Sequence, residues 1–115
     1  MTQQQATGGS LLMDCLIGLG AHKGFGVPGE SYLAVLDAMY DRVDKFELIL
    51  CRHEGGAAYM AEAWGKLTGE PGICFVTRGP GATNASIGIH TAMQNSSPML
   101  VFVGQVGTDM RGREA

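Results

Sequence analysis

The stretch that decides the fold is "ICFVTRGPGATN", residues 73–84. Its first five residues are mostly apolar and β-branched, which is typical of a strand covered on both faces. The glycines and the proline that follow predict a tight turn, and Ala82, Ala85, Ile89 and Met93 then recur at helical spacing. A buried strand, a glycine-rich turn and a helix make one unit of a parallel α/β fold.

Similar units lie on both sides of this stretch. Residues 24–27 and 46–51 predict two earlier strands, and residues 99–104, which follow Pro98, predict a later one. With a helix before each strand, the order of elements is α-β-α-β-α-β-α-β, joined by short connections. We therefore expect a three-layer α/β domain, with an open, mostly parallel sheet and helices on both faces.

Capping signals and periodicity place the predicted helices. Ser10 can cap the first helix, and Pro28 suits the first turn of the second because its missing N–H is not needed there. In the third helix, Glu62 and Lys66 are spaced to pair on a separate face. The predicted apolar faces are Leu12, Cys15, Leu16 and Leu19 in the first helix, Leu33, Leu36 and Met39 in the second, and Ala57, Ala61 and Trp64 with Leu67 or Thr68 in the third.

Length and composition indicate one globular domain. The chain has 115 residues, 45% of them apolar and 17% charged, and a net charge of -3, which argues against nucleic acid as a partner. No run approaches the ~20 apolar residues of a membrane span. Three cysteines in separate apolar runs argue against a disulfide framework and favour the cytoplasm. We interpret residues 1–9 as a polar tail and residues 10–115 as the domain.

Three glycine-rich segments are predicted to reach the carboxyl edge of the sheet, where open parallel sheets bind ligands. They are "GVPGE", residues 26–30, "RHEGG", residues 52–56, and "RGPGATN", residues 78–84. Their glycines allow the backbone to approach a flat or anionic ligand closely. Each segment also leads into the start of a helix, where negative charge is favoured.

Glu54 carries the sharpest functional signal, and two interpretations of it stay open. One is a first-turn carboxylate that faces water and is stabilised by the helix dipole. The other is a carboxylate held in a cleft for proton transfer or for hydrogen bonding to a ring nitrogen. His53 could tune Glu54, although a single histidine at such a position is more often structural.

Other motifs do not support a nucleotide or metal site. "GLGAHKG", residues 18–24, ends a helix and lacks the spacing of a dinucleotide fingerprint, and "RGPGATN" lacks the lysine of a P-loop. His22, His53 and His90 lie in separate predicted elements, so we expect no metal site made by this chain alone.

Four ordered motifs, "GVPGE", "RHEGGAAYMAEAWGKLTGEPG", "FVTRGPGATN" and "PMLVFVGQV", resemble the N-terminal pyrimidine-binding (Pyr) domain of thiamine-diphosphate enzymes. The closest likeness is to the acetolactate synthase group of 2-keto acid carboligases and decarboxylases, over residues 10–115. The resemblance implies that Glu54 hydrogen-bonds N1′ of the aminopyrimidine. That contact favours the imino tautomer of the 4′-amino group, which can then take the proton from the thiazolium C2.

The resemblance also implies further site residues and a larger protein. Pro28 and Gly29 would line the pyrimidine from the partner subunit's side, and Thr77, Pro80, Gly81 and Asn84 would lie around the cofactor or the dimer contact. The ligands of Mg²⁺ and of the diphosphate belong to a C-terminal domain that these residues do not include. We therefore expect an N-terminal portion, incomplete at its C-terminus and inactive alone, of a homodimeric or larger enzyme that acts on a small 2-keto acid.

Two other functions remain open at this point. The chain could be a non-catalytic α/β module that uses the same loops to hold a nucleotide or a partner chain. It could also be purely structural, in which case replacing Glu54 by Gln would have no functional effect.

Overall fold

The elements of the chain alternate as predicted in the computed structural model, which describes residues 6–114. The helices are α1 (Gly8–Gly18), α2 (Leu33–Tyr40), α3 (Glu54–Thr68) and α4 (Pro80–Asn95), and the strands are β1 (Lys23–Gly26), β2 (Glu47–Leu50), β3 (Gly72–Val76) and β4 (Met99–Val103). Two 3-10 turns, Glu30–Tyr32 and Thr108–Met110, lie in the connections. Each strand end lies within one residue of its predicted position.

The four strands form one parallel sheet in the order β2-β1-β3-β4. Alternate residues of β3 lie on opposite faces of the sheet. Ile73 and Phe75 pack with α1 and α2, whereas Cys74 and Val76 pack with α3 and α4. All of β3 is buried, which accounts for its unbroken apolar run. The predicted three-layer α/β fold is confirmed.

The two faces of the sheet are packed differently. On the α1 and α2 face, Phe75 stacks on Phe102 with ring centroids 5.2 Å apart and meets Phe46 edge-on at 6.4 Å. On the opposite face, small residues bring α3 and α4 together, and a Cβ added to Gly88 would lie 2.4 Å from the Cβ of Ala58. This close approach of α3 to α4 fixes the relative position of their first turns.

The first helix begins earlier than predicted. Its N-cap is Thr7, not Ser10, and Ser10 instead completes a capping box. The Ser10 N–H donates to Thr7 Oγ1 at 3.0 Å, while the Thr7 N–H donates to Ser10 Oγ at 3.0 Å. Residues 8 and 9, predicted as part of the tail, therefore belong to α1, and residues 1–5 lie outside the described residues.

Several residues predicted on buried helix faces are exposed. The wrong positions are Cys15, Leu19, Leu33, Leu67, Thr68, Ile89 and Met93. Leu16, Met39 and Ala85 are buried as predicted. The buried residues that the predicted faces did not include are Gly9 and Met13 in α1, Ala38 in α2, and Gly81, Gly88 and Ala92 in α4. In α3, Ala57 and Ala61 are buried and Trp64 is half-buried, as predicted.

Two physical reasons account for errors in α2 and α4. Pro28 does not begin α2, because a 3-10 turn over Glu30–Tyr32 comes first and α2 starts only at Leu33. In α4, the glycine and alanine face turns inward because only small residues permit the contact between Gly88 and Ala58. The larger Ile89 and Met93 are consequently left outside.

The predicted surface pair of Glu62 and Lys66 is also wrong. Glu62 is buried between α3 and the end of α4, and its Oε1 accepts hydrogen bonds from Ser97 Oγ at 2.7 Å and from Asn95 Nδ2 at 3.1 Å. These hydrogen bonds, that of Ser97 first, lower the pKa of Glu62, and the charge of Lys66 adds a smaller effect.

No helix within residues 6–114 has the length and apolar character needed to cross a membrane.

Candidate functional site

The segments after β1, β2 and β3 meet at the carboxyl edge of the sheet. Gly26, at the end of β1, is in register with Leu50 of β2 and with Phe75 of β3. The N–H of Cys51 donates to the carbonyl oxygen of Gly26 at 2.9 Å, so the start of the segment that leads to Glu54 is held against β1. The three glycine-rich segments therefore lie side by side, as predicted.

Glu54 is the first residue of α3, and His53 caps that helix. The Nδ1 atom of His53 accepts a hydrogen bond from the N–H of Gly55 at 2.9 Å. Because the imidazole satisfies one of the free N–H groups at the start of α3, it helps to place Glu54 at the sheet edge. This geometry supports the structural interpretation of His53.

The carboxylate of Glu54 lies between the first turns of α3 and α4. Its Oε1 accepts a hydrogen bond from Asn84 Nδ2 at 3.1 Å, and the side chain is half-buried. A Cβ added to Gly81 would lie 3.4 Å from its Oε2. The carboxylate is thus held by a partner on the neighbouring helix, which differs from the water-facing carboxylate of the first interpretation.

Thr77 joins the loop after β1 to the start of α4. A Cβ added to Gly29 would lie 2.7 Å from the Cβ of Thr77, and a Cβ added to Gly81 would lie 2.8 Å from its Cγ2. Both glycines are therefore required for the backbone to pass so close to Thr77. The residues brought together here from the predicted set are Gly29, Glu54, Thr77, Gly81 and Asn84.

The two prolines of the predicted set lie at the outside of this cluster. Pro80 is exposed in the first turn of α4, and with Gly29 and Thr77 it lines a shallow depression of about 320 Å³. Pro28 is exposed in the loop that follows β1.

A smaller apolar cavity of about 210 Å³ lies beside Trp64 at the opposite, amino edge of the strands. We place the candidate site at the carboxyl edge, because the loops of a parallel sheet converge there on ligands.

Three polar residues of this edge escaped prediction. Ser31 and Thr77 share a hydrogen bond of 2.6 Å between their hydroxyl groups, and the N–H of Arg78 donates to Ser31 Oγ at 3.4 Å. Arg78 Nη2 lies 3.3 Å from Glu30 Oε1. The sequence did contain an indication of this ion pair, because "GVPGE" has an acidic residue and "RGPGATN" a basic one. These two segments were already predicted to share an edge of the sheet.

Two buried groups near Glu54, the hydroxyl of Tyr32 and the thiol of Cys74, have raised pKa values. Burial first, and then Coulombic interactions with Cys74 and Glu54, raise the pKa of Tyr32 to about 12. The pKa of Cys74 is also raised to about 12, by burial first and then by Cys51 and Glu54. The hydroxyl of Tyr32 donates to the carbonyl oxygen of Val27. Tyr32 and Cys74 therefore stay neutral at physiological pH.

Metal ligands are not grouped in this part of the chain. Among residues 6–114, the structure contains no group of three or more His, Cys, Asp or Glu side chains placed to hold a metal ion.

The open parallel sheet and its edge site define a ligand-binding α/β domain of the class that binds at the carboxyl ends of its strands. Residues 6–115 match the family model described as thiamine pyrophosphate enzyme, N-terminal TPP binding domain, and the chain belongs to this family. The predicted Pyr-domain resemblance and the predicted cofactor, thiamine diphosphate, are confirmed at the level of the family.

The chain is also similar to acetolactate synthases over most of its length. It is 43% identical over 109 residues to the mitochondrial acetolactate synthase catalytic subunit of Aspergillus candidus, 95% of this chain and 16% of that protein. It is 44% identical over 99 residues to the acetolactate synthase of Bacillus subtilis (strain 168), 86% of this chain and 17% of that protein. For the acetolactate synthase isozyme 3 large subunit of Escherichia coli (strain K12), the identity is 40% over 112 residues, 97% of this chain and 19% of that protein. The chain therefore spans less than a fifth of the length of these relatives.

Proposed function

We propose that this chain is the N-terminal, pyrimidine-binding part of a thiamine-diphosphate-dependent enzyme that joins or decarboxylates 2-keto acids, as an acetolactate synthase does. The observation that supports this most directly is the carboxylate of Glu54, held by Asn84 between the starts of α3 and α4 in a chain of this family. The chain covers only a small part of its relatives, so we expect the activity to need the rest of a longer protein.

The residues at the carboxyl edge fit the aminopyrimidine half of the cofactor. Glu54 Oε2 lies 3.4 Å from the position of a Cβ added to Gly81, while Oε1 is engaged by Asn84. The missing side chain at Gly29 lets the loop after β1 lie directly against Thr77 at this edge. In this proposal Glu54 holds the ring nitrogen, and the surrounding surface is made by Pro28, Gly29, Thr77, Pro80, Gly81 and Asn84.

Each of these groups has a separate task. When bound, thiamine diphosphate supplies an electron sink for the bond broken next to the substrate carbonyl. Glu54 would hold a proton toward the ring nitrogen, and the Asn84 amide fixes the orientation of the carboxyl group by its hydrogen bond to Oε1. The first turns of α3 and α4 keep the two side chains in register. We expect Mg²⁺ and the diphosphate to be bound by residues outside this chain.

Glu54→Gln in the full-length protein tests the function. The amide keeps the size of the side chain but cannot hold the proton, so we expect a loss of turnover of about 100-fold or more. Far-UV circular dichroism should be unchanged. Glu47→Gln is the matched control, because Glu47 is an exposed carboxylate at the start of β2, paired with Lys23 at 3.3 Å. Equal activity of the two variants would contradict the proposal.

Calorimetry separates the enzyme from a module that binds a nucleotide or partner without turnover. Titration of thiamine diphosphate with Mg²⁺ into the full-length protein should give saturable binding that Glu54→Gln weakens. A protein that binds a nucleotide but not thiamine diphosphate would favour the non-catalytic alternative.

We also propose a homodimer or larger oligomer in the cytoplasm. In the described residues, β4 is at an edge of the sheet, and its Leu100 and Val103 are 43% and 50% exposed. Apolar side chains on an edge strand favour association. The location is supported by three cysteines outside any disulfide. Light scattering of the full-length protein should give at least twice the mass of one chain, and a monomer at high concentration would refute the oligomer.

A further inference from the structure

Two loops of the candidate site are joined by an ion pair that the proposed function does not use. Glu30 begins the 3-10 turn after β1, and Arg78 lies between β3 and α4. Arg78 Nη2 is 3.3 Å from Glu30 Oε1. Both side chains line the same shallow depression as Gly29, Thr77 and Pro80.

The two partners of this ion pair differ in how firmly they are held. The side chain of Arg78 is 26% exposed, whereas that of Glu30 is 79% exposed. The backbone N–H of Arg78 donates a hydrogen bond to Ser31 Oγ, and the Ser31 hydroxyl also shares a hydrogen bond with the Thr77 hydroxyl. Arg78 is therefore the less exposed partner, and its backbone is anchored to the loop of Ser31. An ion pair with one largely exposed carboxylate adds little stability, so another carboxylate can replace Glu30 at small cost.

The depression adjoins the site of Glu54. A Cβ added to Gly81 would lie 2.8 Å from Thr77 Cγ2 and 3.4 Å from Glu54 Oε2, so the side chains of Thr77 and Glu54 meet on the same side of Gly81. Glu30 and Glu54 each place a carboxylate at this edge and would repel an anionic substrate unless a cation lies beside it. Arg78 supplies the positive charge among the residues that line the depression.

We propose that Arg78 binds the carboxylate of the 2-keto acid substrate, and that Glu30 occupies the guanidinium when substrate is absent. This inference rests on the function proposed above. The planar guanidinium can donate two parallel hydrogen bonds to a carboxylate, and a neutral ester or aldehyde would not be recognised in the same way.

Chemical protection tests binding without requiring turnover. The full-length protein is treated with phenylglyoxal, which modifies arginine, and modification of each arginine is followed by mass spectrometry. Sodium pyruvate at ten times its Kd should slow modification of Arg78 about tenfold. Methyl pyruvate and sodium chloride of equal ionic strength should not. Arg42 is the internal control, because its side chain is 19% exposed and is paired with Asp14 at 2.7 Å.

Steady-state kinetics tests the role in the reaction. Arg78→Gln should lower kcat/KM for pyruvate roughly 10- to 100-fold, mainly through KM, and leave that for methyl pyruvate nearly unchanged. Arg78→Lys should restore part of the loss, since it returns the charge without the planar fork. Arg42→Gln should behave as wild type. Glu30→Gln, which keeps the arginine, should lower KM for pyruvate by removing the competing carboxylate.

The outcomes separate this inference from the function on which it rests. Equal protection of Arg78 and Arg42, or equal losses of Arg78→Gln with pyruvate and methyl pyruvate, would overturn the role of Arg78. If the wild-type protein turns over no 2-keto acid, the proposed function fails. Selective protection of Arg78 by pyruvate would still support the carboxylate site in that case, and its absence would overturn it.

Discussion

Replacing Gly88 by Ala should force α3 and α4 apart and destabilise the domain. The added methyl carbon would lie 2.4 Å from the Cβ of Ala58, 2.7 Å from its carbonyl carbon and 2.9 Å from the backbone nitrogen of Tyr59. Two of these three atoms are backbone, so no rotation of a side chain relieves the overlap. The helices must instead separate by about 1 Å to restore ordinary contact distances.

The size of the effect follows from two opposing contributions. Overpacking of a close helix contact costs about 3 kcal/mol, at the upper end of the usual range, because the obstructing atoms are backbone. Alanine in place of glycine in a helix returns about 1 kcal/mol. The free energy of unfolding should therefore fall by about 2 kcal/mol, which corresponds to a drop in Tm of roughly 8 °C. Separation at Gly88 also moves the first turn of α4, so the hydrogen bond from Asn84 to Glu54 should weaken.

Thermal unfolding of the 115-residue chain, followed by far-UV circular dichroism, measures this effect. Gly56→Ala is the matched control: Gly56 lies in α3, and a Cβ there would have nothing within 4 Å. That variant should be stabilised by about 0.5–1 kcal/mol through helix propensity alone. A Gly88→Ala chain as stable as the Gly56→Ala chain would refute the close packing of α3 on α4.

Two further predictions concern titratable groups. Since hydrogen bonds from Ser97 and Asn95 lower the pKa of Glu62 below 4.5, its ionised form stabilises the fold above that pH, and this contribution is lost as the pH falls through the folded-state pKa. Urea unfolding between pH 6 and pH 3 should therefore show a shallower loss of stability for Glu62→Gln than for wild type, and identical slopes would contradict the stabilising role of the hydrogen bonds to Glu62. Cys74, with its pKa raised from 9.0 to about 12, should be alkylated by iodoacetamide at pH 8 about a thousandfold more slowly in the folded than in the unfolded chain, whereas exposed Cys15 should react readily. Comparable labelling of the two cysteines in the native protein, read by peptide mass spectrometry, would contradict the burial of Cys74; stability should also fall as the pH rises above 9.0, because the unfolded thiol ionises first.

The sequence predicted those features of the candidate site that depend on residues close together in the chain. Glycine-rich turns after buried strands predicted that the segment of Glu54 and residues 78–84 would share one edge, because turn chemistry and strand burial are local properties. The Glu30 and Arg78 ion pair and the hydrogen bond from Asn84 to Glu54 join residues 48 and 30 positions apart. No local pattern contains such pairs, so only the folded chain revealed them.

By itself, the sequence determined the order of helices and strands, the parallel sheet and the edge that carries Glu54. These features follow from the spacing of apolar residues and from glycine and proline in turns, which act within a few residues. The tertiary structure decided which face of α4 is buried and where Glu62 of α3 lies. The rotation of α4 is set by its contact with α3 at Gly88, and the burial of Glu62 by partners more than 30 residues away, Asn95 and Ser97. Helix rotation depends on what another element permits, and the periodicity of one helix carries no record of that contact.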